Sequence, residues 1–331
     1  MAGGQERILR RRIHSVQSTK KITRAMELIA ASRIVRAQAR VAAAVPYSEE
    51  ITEVVRDLGA ASTGVDSPLL TSRSELRRVG HVVLTADRGL CGAYNSAVIR
   101  AAEGSMREQD EQGRDYALFL VGRKAESYFR YRNFRIDATF TGFSDQPSYE
   151  DARRIATTVR EAYLGGAVDL VELIYTRFVS AGTQEVVVRP LMPLDRDVIV
   201  GGDGQSDPTA TAAYEFEPSP EAILERLLPR YAEARVYAAL LNAAASEHAA
   251  RQRAMKSATD NAEDLITSLT RVMNRARQDA ITTEIMEVVG GAEALRKGRR
   301  LHAEDLLVDT IEGRRTDLFA KRVPEKNQEP A

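Results

Sequence analysis

The chain has 331 residues, 44% hydrophobic and 28% charged, with no tryptophan and equal numbers of basic and acidic side chains. That length allows two domains, or one with a long extension, and the apolar share suffices for a packed core. A single cysteine, Cys91, excludes an internal disulfide framework, and no apolar run approaches the ~20 residues that span a bilayer.

From Gln5 to Leu58 there is no glycine and one proline, Pro46. At about 1.5 Å per residue this predicts a rod of roughly 80 Å, well beyond the ~10–14 residues of an ordinary globular helix. Leu9, Ile13 and Val16, then Ile22, Met26 and Ile29, each step by four and three, the narrow stripe of a helix facing one partner. Pro46 lacks an N–H and crowds the preceding turn, so a kink or interruption is expected there. The first forty residues carry ten Lys or Arg against Glu6 and Glu27. This positive field seeks an acidic partner, whether nucleic acid, anionic lipid or a protein surface. The Arg-rich start lacks the apolar core of a secretory signal and its helical pattern runs on into the body, which predicts a cytoplasmic chain.

Gly59, Gly64 and Pro68 mark a loop, after which the period changes. Residues 82–85, 118–121, 170–175 and 186–188 read as strands, with helices over 93–108, 123–130 and 149–163 between them. Such alternation predicts a parallel or mixed sheet with crossover helices. The run GGDGQSDP, 201–208, reads as a loop. A second rod follows Pro218 and Pro220, with neither glycine nor proline from Tyr231 to Val289. Its seam can be written Leu241, Ala245, His248, Gln252, Met255, Ala258, Ala262, Leu265, Leu269, Val272, Ala276, with one extra step of three at Met255–Ala258. A period near 3.5 gives a left-handed supercoil. An Ala-rich seam buries little per layer, so the pair is expected to need a surrounding sleeve.

No catalytic constellation is visible. His14, His81, His248 and His302 share no metal-ligand spacing. The turn DRGLCG, 87–92, follows a strand and opens a helix, where a phosphate could sit, yet it matches neither glycine-rich phosphate motif. A tight strand-to-helix turn is the simpler reading. Arg88 could lower the Cys91 pKa, but no histidine stands near it in sequence.

The stretches IHSVQSTKKITRAMEL (13–28), RAMKSATDNA (253–262), NRARQ (274–278) and ITTEI (281–285), with DRGLCG between, resemble the F-type ATP synthase gamma subunit of bacteria. The resemblance covers 5–295. It implies an antiparallel coiled coil of N- and C-terminal helices with a central α/β, Rossmann-like domain. It also implies a non-catalytic rotor stalk without cofactor or metal, one copy per complex, peripheral on the cytoplasmic face of the plasma membrane. The implied partners are the alpha and beta subunits of the catalytic hexamer, the epsilon subunit and the membrane c-ring. Arg251, Gln278, Thr282 and Glu284 match the family's polar patch that grips a beta-subunit loop, and Arg24 with Met26 the part facing the beta subunit's acidic lever. Tyr214, Phe216 and Glu217 match the foot that meets the ring and epsilon; Phe216 stands where a tyrosine is common.

Four segments are expected: a coiled-coil helix over 1–58, the α/β domain over 59–217, the closing helix over 218–295, and an atypical extension over 296–331. In the extension, Leu301, Leu306, Leu307 and Ile311 suggest a short amphipathic helix, and Pro324 onward reads as disordered. A tail beyond Leu295 could limit rotation, bind a regulator, or be a tolerated addition. A gamma-like coiled-coil scaffold that binds an acidic partner, or nucleic acid through its basic first helix, is the competing reading. A nucleotide-binding α/β enzyme with helical arms is a third.

Overall fold

The computed structural model describes residues 2–61, 67–73, 75–194, 217 and 219–320. In chain order the elements are α1 (Ala2–Ala61), β1 (Arg78–Leu84), α2 (Tyr94–Glu111), β2 (Asp115–Val121), α3 (Arg123–Tyr131), β3 (Ala138–Phe140), α4 (Tyr149–Leu164), β4 (Leu170–Phe178), β5 (Gln184–Met192) and α5 (Pro220–Ala320). The chain divides into two compact units, Thr19–Asn261 and the terminal segments Met1–Ser18 with Ala262–Ala331.

In the larger unit a five-stranded sheet has the order β3-β2-β1-β4-β5, parallel except for β5, which runs antiparallel to β4. Residues Val79–Leu84 of β1 are all buried, because a parallel strand between crossover helices is covered on both faces. The pleat sends Val83, Leu118, Leu120 and Ile174 to one side, where α2 brings Val98 and Ala102 and α3 brings Ala125 and Phe129. Val82, Leu84, Phe119 and Leu173 face the other side, against Ile155 and Val159 of α4, Val55 and Leu58 of α1, and Leu224, Leu228 and Val236 of α5. The sheet is thus wedged between its own crossover helices and the ends of the two long ones.

The two long helices pair antiparallel within this unit. Thr23 Oγ1 and Thr259 Oγ1 are 2.8 Å apart, while Arg33, Ala37 and Arg40 share a cavity with Leu241, Ala244 and His248, so numbers fall on α5 as they rise on α1. The buried stripe of α1 keeps a strict alternation of four and three through Lys20, Thr23, Glu27, Ala30, Ile34 and Ala37, and on to Ile51, Val55 and Leu58. This corrects the expected stripe: Ile22 and Ile29 are 60% and 54% exposed, and Met26 is half-buried. The heptad set by Val16 is carried through polar residues, leaving the isoleucines on an outer face. On α5 the same correction removes the irregular step. Thr259 is buried where Ala258 was expected, and the stripe continues through Ala262, Ile266, Leu269, Met273, Ala276 and Ala280, with Leu265 and Val272 exposed.

In the smaller unit, Ile13, Ala262 and Leu269 are the buried apolar positions, and beyond Ala280 every described side chain is exposed.

The break expected at Pro46 does not occur, since α1 runs through it to Ala61. Pro46 removes one backbone hydrogen bond, but Ile51, Val55 and Leu58 lie in the sheet's core and hold the turns that follow. The expected short helix around Leu301 and Ile311 is a continuation of α5. The glycine-rich loop at 201–208 and the residues from Pro324 onward lie outside the described residues.

β3 was not expected, being only three residues long. It positions Gly122, whose N–H donates to Phe140 O at 2.8 Å. Gly122 has φ +91°, and a Cβ there would stand 2.2 Å from the Thr85 carbonyl oxygen. Gly122→Ala is therefore expected to destabilise the larger unit by about 3 kcal/mol or more, because both the backbone conformation and the space are denied. Urea denaturation of the full chain followed by circular dichroism measures this.

Candidate functional site

The turn at 87–92 leaves the carboxyl end of β1, the edge where open α/β sheets usually take ligands. Here part of that edge is already occupied, leaving beside it an open cavity of about 400 Å³ lined by Cys91, Gly92, Tyr94, Thr176 and Arg253. The Asp87 carboxylate accepts the backbone N–H groups of Arg123, at the start of α3, and of Gly142 and Ser144, at 3.1, 2.9 and 3.0 Å. Three converging N–H groups make an anion site, and the chain's own carboxylate occupies it.

The second occupant is α5. Ser246 Oγ donates to Thr176 O at 3.1 Å, and Tyr94 OH donates to Ala243 O at 3.2 Å. Arg251 donates to Glu247 at 2.7 Å and more loosely to the carbonyls of Arg88 and Gly89, at 3.3–3.4 Å. Burial raises the Glu247 carboxyl above its ordinary value, and Arg251 only partly offsets this. Burial likewise raises the Cys91 thiol against a smaller pull from Arg251, so the activated cysteine considered from sequence is not found. His248 is buried on the same helix, its Nε2–H donating to Asp145 O at 3.1 Å, and burial lowers its pKa.

The residues assigned by resemblance fall into four groups. Arg24 and Met26 lie on α1, with Arg24 exposed and held to Glu27 at 2.9 Å. Gln278, Thr282 and Glu284 are all exposed on α5 in the smaller unit, with Thr282 Oγ1 donating to Gln278 O at 2.9 Å. Arg251 stands apart from these in the larger unit, 8% exposed and committed to Glu247 and the 87–92 turn. Glu217 is exposed, and Tyr214 and Phe216 lie outside the described residues. Sequence reasoning missed the exposed apolar face of Ile22, Leu28, Ile29 and Val35 on α1. Holding the heptad strict after Val16 would have revealed it.

Asp87 gives a pH signature. Burial pushes its carboxyl up, but the three N–H groups outweigh this and hold it below the ordinary value. A depressed folded pKa gives stability that is present above the unfolded value of about 3.9 and lost as pH falls through the folded value. Asp87→Asn is expected to cost roughly 1–3 kcal/mol at neutral pH, with the gap to the parent chain narrowing below about pH 4. Equilibrium unfolding of both chains across that pH range checks the sign.

The sequence profile of the ATP synthase family matches residues 5–295. The gamma chain of ATP synthase from Frankia casuarinae is 54% identical over 299 residues, covering 89% of this chain and 99% of that one. The gamma chain from Parafrankia sp. is 53% identical over the same length and shares of each chain. Among solved structures, a chain of Euglena gracilis mitochondrial ATP synthase, from an OSCP/F1/c-ring assembly, aligns with a TM-score of 0.63 at 19% identity, over 99% of this chain and all of that one, and supports the fold. The long match and the sheet set between two antiparallel helices agree, and the chain belongs to the ATP synthase gamma-chain family.

Proposed function

We propose that this chain is the central-stalk rotor of an F-type ATP synthase, without a catalytic site of its own, and that it transmits rotation between the membrane c-ring and the alpha/beta hexamer. The observation that carries the reading is the end of α5. There Ile281, Ile285, Met286, Val288, Val289 and Leu295 are all exposed, at 47–74%. Contiguous apolar surface of this kind marks a face that another protein covers. In the assembly one copy stands within the hexamer, so that alpha and beta subunits supply the cover. Epsilon and the c-ring meet the foot that includes Tyr214, Phe216 and Glu217. The complex lies at the cytoplasmic face of the bacterial plasma membrane.

The work is mechanical. Each orientation of an asymmetric pair of helices contacts the three catalytic subunits differently, and only such differences in contact energy shift them between open and closed states. Each proton crossing supplies about 2.3 kcal/mol per 100 mV, and several together drive one step. Gln278, Thr282 and Glu284 offer the polar contacts for a beta-subunit loop, and Arg24 with Met26 meets an acidic lever. Arg251, largely buried, serves this coupling by clamping the 87–92 turn to α5. The tail after Leu295 lies beyond the family match and is proposed to act on rotation from outside that core.

Gln278→Ala/Thr282→Ala in a complex reconstituted with its alpha and beta subunits is expected to lower ATP synthesis at least about fivefold, since two hydrogen-bonding contacts are lost at roughly 0.5–1.5 kcal/mol each. The substituted side chains are exposed, so the chain itself folds unchanged, and the rate is compared per assembled complex. An unchanged rate, or failure of the parent chain to assemble one copy per hexamer, would sink the reading.

A further inference from the structure

His248 stands where three elements of the larger unit meet: α5, which carries it, α1, and the loop before α4. It is 2% exposed, with Nε2 3.1 Å from the Asp145 carbonyl oxygen. A carbonyl only accepts, so Nε2 carries the proton and Nδ1 is the bare nitrogen of a neutral ring. That Nδ1 has neither accessible surface nor a hydrogen-bond partner, and is sealed off from the cavity of about 150 Å³ that the residue borders. One unpaired acceptor is a modest loss. A proton added there would make a buried, charged donor with nothing to receive it.

The surroundings give an imidazolium no free counter-ion. Arg33, Arg36 and Arg40 approach from α1, and Arg251 lies on α5 itself. The two carboxylates at the junction are both engaged, Asp145 with Arg33 at 2.6 Å and Glu247 with Arg251 at 2.7 Å. Four guanidinium groups against two carboxylates leave the junction positive before the ring is charged. Burial lowers the His248 pKa below the ordinary ~6.5; the Asp145 carbonyl opposes this, and Arg251 and Arg33 reinforce it.

We propose that His248 is an acid-operated latch: neutral, it closes the junction of α1, α5 and the Asp145 loop, and protonated, it opens that junction so that Nδ1–H reaches water. The ring cannot satisfy the new donor in place, because Nε2–H is already spent on Asp145 O. A released imidazole titrates near ~6.5 while the seated one stays neutral to lower pH, so in between the open form binds more protons. Seating is therefore fully present above about pH 6.5 and weakens as pH falls from there toward the folded value. Glu247, raised by burial, works in the opposite sense, losing stability as pH rises, and cannot mimic the effect. The latch belongs to the larger unit and does not depend on the rotor reading.

Ring-nitrogen NMR of His248 in the full-length chain, from about pH 8 to about pH 5, reads the titration directly. A midpoint below about 6.5 is expected, with the proton of the neutral form on Nε2. Hydrogen exchange then locates the opening. Corrected for intrinsic rates, backbone protection over residues 33–40 of α1 is expected to fall about three- to tenfold from about pH 7.5 to about pH 5.5, with β1 unchanged. His248→Gln keeps a donor for Asp145 O but does not titrate, so its protection over the same residues should hold across that range. A midpoint at or above about 6.5, equal protection at both pH values, an equal fall in β1, or the same fall in the variant would each overturn the assignment.

Discussion

The seating of α5 across the carboxyl edge of the sheet is the contact on which the larger unit depends. Ala243, Ser246 and Arg251 take up polar groups of Tyr94, β4 and the 87–92 turn, which would otherwise face an open crevice. Leu224, Leu228 and Val236 of the same helix enter the sheet's core. One helix therefore covers part of the ligand edge and supplies part of the hydrophobic face. The carboxyl edge of this α/β domain, where open sheets of this class often take ligands, serves here as a mount for a helix. The Asp87 carboxylate completes the conversion, filling with a covalently attached anion the place where a phosphate would be gripped.

Much of this was legible in the sequence, for identifiable reasons. Four strands and three crossover helices were readable because each is an apolar run or an amphipathic stretch bounded by glycine or a charged turn. β3 escaped because Ala138–Phe140 carries no pattern of its own; its identity comes from Phe140 pairing beside Val121. The seams were misread wherever a polar residue held a core position. Thr23, Glu27 and Thr259 are buried, yet a search for apolar spacing passes over them to Ile22, Ile29 and Ala258. The Arg251–Glu247 pair was likewise invisible, because neighbouring opposite charges on a long helix usually lie in solvent.

Those polar seam positions carry a consequence for energetics. Leu and Ile layers contribute roughly 1.5–3 kcal/mol each when fully buried, whereas Ala, Thr and Ser contribute far less. The hydroxyl contact of Thr23 with Thr259 fixes register between the two helices while adding little net stability. A pair of helices so composed is specified more strongly than it is bound. That would suit the proposed rotor role, in which neighbours alternately grip and release the helices.

The end of α5 follows the same logic further. From 281 to 297, the described side chains after Ala280, none is buried, and Gly290 and Gly291 stand in open space within the helix. Each glycine costs about 1 kcal/mol of helix propensity relative to alanine, and no packing offsets that cost. Ile281, Ile285, Val288 and Val289 meanwhile remain exposed, each adding apolar surface that water disfavours. A segment weak in its own helix formation and rich in uncovered apolar groups would gain stability by burial against other chains, as the proposed rotor role requires. Those chains would then have a handle on it, because any change in how they closed around the helix would alter the same contacts that order it.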